Sequence, residues 1–293
     1  MRERRCNERF LPGIVFPETL CPEPDLRAVM AQADEVLLAV PSEAFVDMVQ
    51  AIADRMHDIQ GLSWACKGLE PGSGRFLHQA AQDIVGPQMP MAVVTGPSFA
   101  LEVARNLPTA VTVAGTDETY CQRIAAALHG GNFRTYTSND IIGAELGGAV
   151  KNVLAIATGI SDGMGFGNNA RAALITRGLA EMIRLGRSLG AREKTFIGLA
   201  GMGDLVLTCT GSLSRNRRLG LALGEGQTVA RAVADIGQVV EGVSTAEEVW
   251  RLAQREKVDM PIAQQVYGIL HRGLDPATCV RDLLAREQKP ESF

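Results

Sequence analysis

The chain lacks an excess of charge of either sign. Lys and Arg number 29 against 33 Asp and Glu, a formal net charge of −4. That balance gives no electrostatic case for binding nucleic acid or an anionic membrane, so any anion site must be a local cluster. It also lacks paired cysteines. The six, at 6, 21, 66, 121, 209 and 279, are scattered, with no CxxC and no histidine at metal-ligand spacing. A disulfide framework and a zinc site are both excluded, and a reducing, cytoplasmic setting is expected. No uninterrupted apolar run reaches about 20 residues, so no membrane span is expected. The start, Met1-Arg-Glu-Arg-Arg5, carries no apolar segment and does not read as a signal peptide. There is no internal repeat and no low-complexity tract. A nucleotide-binding glycine turn is missing as well. Gly163-Met-Gly-Phe-Gly167 follows a helical pattern instead of a strand.

What remains is enough chain, at 293 residues, for two cores. Residues 1–26 are irregular and proline-marked. Short apolar runs then alternate with helical patterns. Strands are expected at 35–40, 62–66, 91–95, 109–113 and 133–136, separated by helices at 43–56, 74–84, 97–105 and 118–129. That alternation predicts an α/β fold with a parallel, doubly wound sheet. The run at 35–40 is apolar on both faces, which suits a buried strand. From Asn139 the signal becomes helical throughout. The expected domains are therefore 1–138, the sheet, and 139–293, all helical.

Chemistry concentrates in a few places. The stretch from Glu145 to Ile160 is apolar all round, a helix buried on most sides. Lys151 and Asn152 lie in the middle of it. A buried ammonium must be paired or have its pKa lowered. Helical geometry places Lys151 over Gly147 and Gly148, which would leave a pocket holding one amine, suited to a general base. The alternative is a structural lysine paired with an acid such as Glu145. Pro41-Ser42, Lys67-Gly68 and Gly96-Pro97-Ser98 each follow the carboxyl end of an expected strand, where α/β sheets bind ligands. In the helical part, Asp204 of Gly201-Met-Gly-Asp204 could be a simple helix cap. Ser214 can cap the helix that carries Arg215 and Asn216, a site for phosphate. Arg217 and Arg218 read as a solvated basic face. The histidines at 57, 78, 129 and 271 read as surface residues without a role.

Taken together, Cys66-Lys-Gly-Leu-Glu70, Gly96-Pro-Ser-Phe-Ala100, Gly148-Ala-Val-Lys-Asn152, Gly203-Asp-Leu-Val-Leu-Thr-Cys209, Ser214-Arg-Asn-Arg-Arg218 and Val239-Val-Glu-Gly242 resemble the bacterial NAD(P)-dependent sn-glycerol-3-phosphate dehydrogenases. The resemblance covers nearly the whole chain. It implies an oxidoreductase that interconverts glycerone phosphate and sn-glycerol 3-phosphate with NAD or NADP, supplies glycerophospholipid synthesis in the cytoplasm, and works as a homodimer. It implies Lys151 as the proton acceptor. Lys67, Gly96, Ser98, Lys151, Asp204, Ser214, Arg215 and Asn216 would hold the phosphorylated polyol. Lys67, Ala100, Arg215, Val239 and Glu241 would lie near the nicotinamide.

The family pattern opens with a strand, a GxGxxG turn and a helix that cradle the cofactor pyrophosphate. Roughly one β-α-β unit of that pattern is not matched here. The expectation is a shortened sheet whose strand at Val36 lacks one neighbour, in a chain with little or no activity. Two other readings stand beside the first. One is a cofactor-blind protein that only binds the polyol phosphate. The other is a related lysine-dependent reductase of a hydroxy acid.

Overall fold

The computed structural model describes residues 1–55 and 59–287. In chain order the elements begin with β1 (Cys6–Asn7), β2 (Leu11–Val15), α1 (Leu26–Met30), β3 (Val36–Leu38), α2 (Phe45–Ala53), β4 (Leu62–Trp64) and α3 (Leu77–Val85). There follow β5 (Met91–Thr95), α4 (Ala100–Ala104), β6 (Thr109–Gly115), α5 (Glu118–Leu128) and β7 (Phe133–Ser138). The rest is helical: α6 (Ile141–Gly163), α7 (Gly167–Ser188), α8 (Glu193–Ile197), α9 (Asp204–Thr210), α10 (Arg215–Gly224), α11 (Val229–Ile236), α12 (Gly242–Glu256), α13 (Pro261–Arg272) and α14 (Pro276–Leu284). Local chemistry starts many of the helices. Asp25, Asp117, Thr228 and Asp275 accept backbone N–H bonds at their N-caps. Pro261 and Pro276 occupy first-turn positions that need no donor.

A Rossmann-like α/β sheet followed by helices is what the sequence predicted, with corrections. The five strands lie in the order β3-β4-β5-β6-β7, and β3, β4 and β5 run parallel to one another. β6 is antiparallel to β5, with Ala92 opposite Gly115, and β7 then follows β6 in parallel. Between β5 and β6 the chain holds only the five-residue α4, which buries none of its residues. That helix does not pack on the sheet as the helix of a parallel crossover would, and the chain returns beside its own strand. β3 pairs only with β4, and Leu37 is 45% exposed, so this strand is an edge with one open face. Residues 1–26 are not wholly irregular, because β1 and β2 form a small antiparallel pair.

Strand alternation covers the sheet on both sides. Met91 and Val93 join Phe45, Val49, Leu77 and Ala81 beneath α2 and α3. Ala92 and Val94 face Tyr120, Cys121 and Ile124 of α5. The amino end of α6 reaches the first of these cores through Ile141 and Ala144, while its remainder is the centre of the helical core. At 23 residues α6 is long and apolar enough to cross a membrane, but 89% of its apolar window is buried inside the protein.

α6 meets α10 backbone to backbone. Gly159 and Gly163 of α6 face Gly220 and Gly224 of α10. A methyl group on Gly220 would lie 2.1 Å from the Ile156 carbonyl oxygen, and one on Gly159 would lie 2.2 Å from that of Arg217. Side chains cannot enter this seam, so α10 sits close enough to bring Asn216 to α6. Gly220→Ala should therefore overpack the seam and lower unfolding stability in urea by about 1–3 kcal/mol. Gly130→Ala, whose methyl would meet nothing within 4 Å, should stay within about 0.5 kcal/mol of the parent.

Candidate active site

Lys151 is only 6% exposed, and its partner is not Glu145. Its Nζ donates to Asp204 Oδ1 at 2.6 Å and to Thr208 Oγ1 at 3.2 Å. Asp204 opens α9 and caps nothing with its side chain. Thr208, one turn on, donates back to the Asp204 carbonyl at 2.6 Å. Glu145 instead accepts from the backbone N–H of His78 at 3.1 Å and pairs with its ring Nδ1. His78 is thus a buried link between α3 and α6, not a surface histidine. His57 lies outside the described residues.

The second oxygen of Asp204 belongs to Lys67. Lys67 Nζ donates to Asp204 Oδ2 at 2.8 Å, to the Gly96 carbonyl at 2.8 Å and to Ser98 Oγ at 3.4 Å. The loops that leave β4 and β5 therefore meet at their carboxyl ends, and α9 closes over them. Gly147 and Gly148 do not border an empty pocket. A methyl on Gly147 would lie 2.5 Å from the Ala200 carbonyl oxygen, and one on Gly148 would lie 3.6 Å from Lys67 Cβ. The two glycines admit the neighbouring backbone and the second lysine.

Two ammonium groups thus share one buried carboxylate, leaving a net positive cluster. Burial pulls the Lys151 ammonium down to about 8, with the Lys67 charge acting in the same direction and Asp204 opposing it. Burial alone would raise Asp204, but Lys151 and Lys67 outweigh it and hold the carboxyl below its ordinary value. Glu241, which precedes α12, is raised by burial against the pull of Arg215 and Lys151.

The remaining candidates fall into two groups. Asn216 and Asn152 extend the cluster: Asn216 Nδ2 donates to Asn152 Oδ1 at 2.9 Å, and Asn152 Nδ2 donates to the Lys67 carbonyl at 3.2 Å. Asn216 Oδ1 also accepts from Gly242 N–H at 2.9 Å, so part of its amide is spent on the scaffold. Ser214, Arg215, Val239 and Ala100 make no direct bond to the lysines. Ser214 caps α10 by accepting from Arg217 N–H at 3.2 Å. Arg215 donates to the Val239 carbonyl at 2.7 Å. Val239 and Ala100 are exposed. Arg217 is no solvated basic residue, because its Nε and Nη2 donate to Asp162 at 3.0 and 2.6 Å. Thr208 was missed although its i+4 spacing from Asp204 was visible. Asn152 was noticed only as an anomaly in an apolar helix.

A positive, partly dry cluster with one lysine poised near neutrality can bind a phosphorylated alcohol or ketone and move a proton to or from it. Asp204→Asn should lower the titration midpoint of Lys151 below about 8, because the charge that opposes its deprotonation is removed. Lys67→Met should raise it. Lysine 15N resonances followed against pH would read both directions, and a common direction for both variants would refute this account of the cluster.

The chain as a whole is similar to known proteins. The profile for the NAD-dependent glycerol-3-phosphate dehydrogenase N-terminus matches residues 1–121, and that for its C-terminus matches residues 140–281. The chain is 57% identical to a glycerol-3-phosphate dehydrogenase (NAD(P)+) of Xanthomonas oryzae pv. oryzae, over 97% of this chain and 84% of that one. It is 56% identical to one from Stenotrophomonas maltophilia, over 99% and 85%. The crystal structure of glycerol-3-phosphate dehydrogenase from Coxiella burnetii superposes with a TM-score of 0.94 at 48% identity, covering 98% of this chain and 87% of that one.

Proposed function

The chain belongs to the NAD-dependent glycerol-3-phosphate dehydrogenase family, and from that premise we propose that Lys151 takes and returns the proton at C2 of the substrate. The reaction interconverts glycerone phosphate and sn-glycerol 3-phosphate with NAD or NADP. The observation that carries the assignment of Lys151 is its burial beside Asp204, with its pKa brought down to about 8. In the oxidation direction the neutral amine accepts the C2 hydroxyl proton, and Asp204 then stabilises the ammonium that forms. In the reduction direction the same ammonium protonates the developing alkoxide. Lys67, Gly96 and Ser98 line the substrate's other side, and Arg215, Asn216 and the Ser214-capped start of α10 receive the phosphate.

The nicotinamide end of a cofactor suits the residues that flank this cluster. Ala100 and Val239 are exposed apolar residues, Arg215 and Lys67 bring positive charge, and half-buried Glu241 offers a carboxylate. Among the described residues no glycine turn is placed to cradle a pyrophosphate. A bound NAD or NADP would supply the hydride exchange at C2. A cytoplasmic setting is supported by six unpaired cysteines, five of them buried. Supply of glycerol 3-phosphate to glycerophospholipid synthesis, and a homodimeric assembly, complete the proposal on the strength of the family resemblance.

Lys151→Met should cut turnover roughly 10²- to 10⁴-fold while calorimetric binding of glycerol 3-phosphate stays close to the parent. In the parent, oxidation should rise with pH through about 8 as Lys151 loses its proton, and reduction should fall over the same window. Retained turnover in the variant would remove Lys151 from the mechanism. Preference for a carboxylated substrate over glycerone phosphate would favour the hydroxy-acid reductase reading.

A further inference from the structure

Between β4 and α3 the chain forms a strap, Lys67 to Phe76, that leaves the sheet and lies on the helical half. Leu69 and Phe76 insert into the helical core, not the core of the sheet that carries them. Polar ties hold the strap along its length. Its first carbonyl, that of Lys67, accepts from Asn152 of α6. In the middle, Gly72 N–H donates to Glu248 Oε1 of α12 at 2.8 Å, and Arg251 Nη1 donates to the Gly72 carbonyl at 2.9 Å. Just past its end, His78 N–H donates to Glu145. Within the strap, Glu70 N–H donates to the Arg75 carbonyl at 2.9 Å, and Gly74 N–H to the Glu70 carbonyl at 3.0 Å. Gly72 and Gly74 adopt φ of +82° and +66°, the left-handed region that favours glycine.

Glu248 is the unusual member. It is 4% exposed, and a methyl on Gly74 would meet its Oε2 at 3.3 Å. Among the described residues Oε2 has no hydrogen-bond partner. Arg251 approaches Oε1 only to 3.5 Å. A buried carboxylate so lightly paired costs stability compared with an apolar side chain of its size. What it gains is an acceptor for one backbone N–H in a left-handed turn five residues beyond Lys67. We propose that Glu248 is a positioning residue: by holding Gly72 it fixes the strap on α12 and thereby sets Lys67 against Asp204. The inference rests on the reading of Lys67 as part of the site.

The test uses the full chain. Lys151 is faced by Asp204 of α9, Lys67 of the strap and Glu241 at the start of α12, so a displaced Lys67 has a defined signature. In Glu248→Ala, Lys67 withdraws from Asp204. The Lys151 midpoint in a lysine 15N titration of the cofactor-free protein then rises. The kcat/KM for glycerone phosphate falls roughly 10- to 100-fold, the scale that small misplacements cost. Glu248→Gln keeps an acceptor for Gly72 and stays near the parent in both measurements. Arg251→Ala, at the surface, gives a smaller shift in the same direction, and carries the test alone should Glu248→Ala fail to fold. A lower melting temperature with unchanged kcat/KM and an unmoved Lys151 midpoint would overturn the proposal. Lys67→Ala, made in parallel, separates the two claims: if it leaves kcat/KM unchanged, the placement of Lys67 in the site fails, not the strap.

Discussion

One carboxylate holds the two halves of this molecule in chemical register. Asp204 accepts Lys67 from the sheet half on one oxygen and Lys151 from the helical half on the other. Neither lysine could be buried this far without it, and Asp204 could not be buried without them. The arrangement also divides the work between two like charges. Lys67 is fixed by a carbonyl and a hydroxyl as well, whereas Lys151 is driven toward neutrality. The shared anion thus anchors one cation and leaves the other titratable.

The sequence exposed the parts of this design that depend on local pattern. A helix apolar all round, with Lys151 inside it, could only be a core helix with a special residue, and α6 is that helix. The strand ends that carry Lys67, Gly96 and Ser98 were legible because turn residues follow short apolar runs, and Lys67 does bond to the loop that carries the other two. The Gly163–Gly167 stretch joins α6 to α7, as its position after a helix required.

What stayed hidden depends on pairing across distance. Nothing near Lys151 indicates that its partner lies 53 residues on. A glycine-rich turn screens the start of α9 and left Asp204 looking like a simple cap. Direction in a sheet is likewise a property of connections: the residues of β6 read the same parallel or antiparallel, and the difference lies in the link that holds α4, which does not pack on the sheet. Arg217 and His78 have ordinary surface composition around them. Their roles come from Asp162 and Glu145, each more than 50 residues away.

The glycine seam between α6 and α10 has a mechanical consequence. Where two helices touch through side chains, rotamers can shift and the gap can breathe. Here main chain meets main chain, with no torsion angle between them to absorb a displacement. Lys151, Asn152 and Asn216 therefore ride on one stiff body, and the floor of the site behaves as an anvil. Any opening that admits or releases a ligand has to be supplied by the opposite jaw: the loops at the strand ends, and the strap that ties them down.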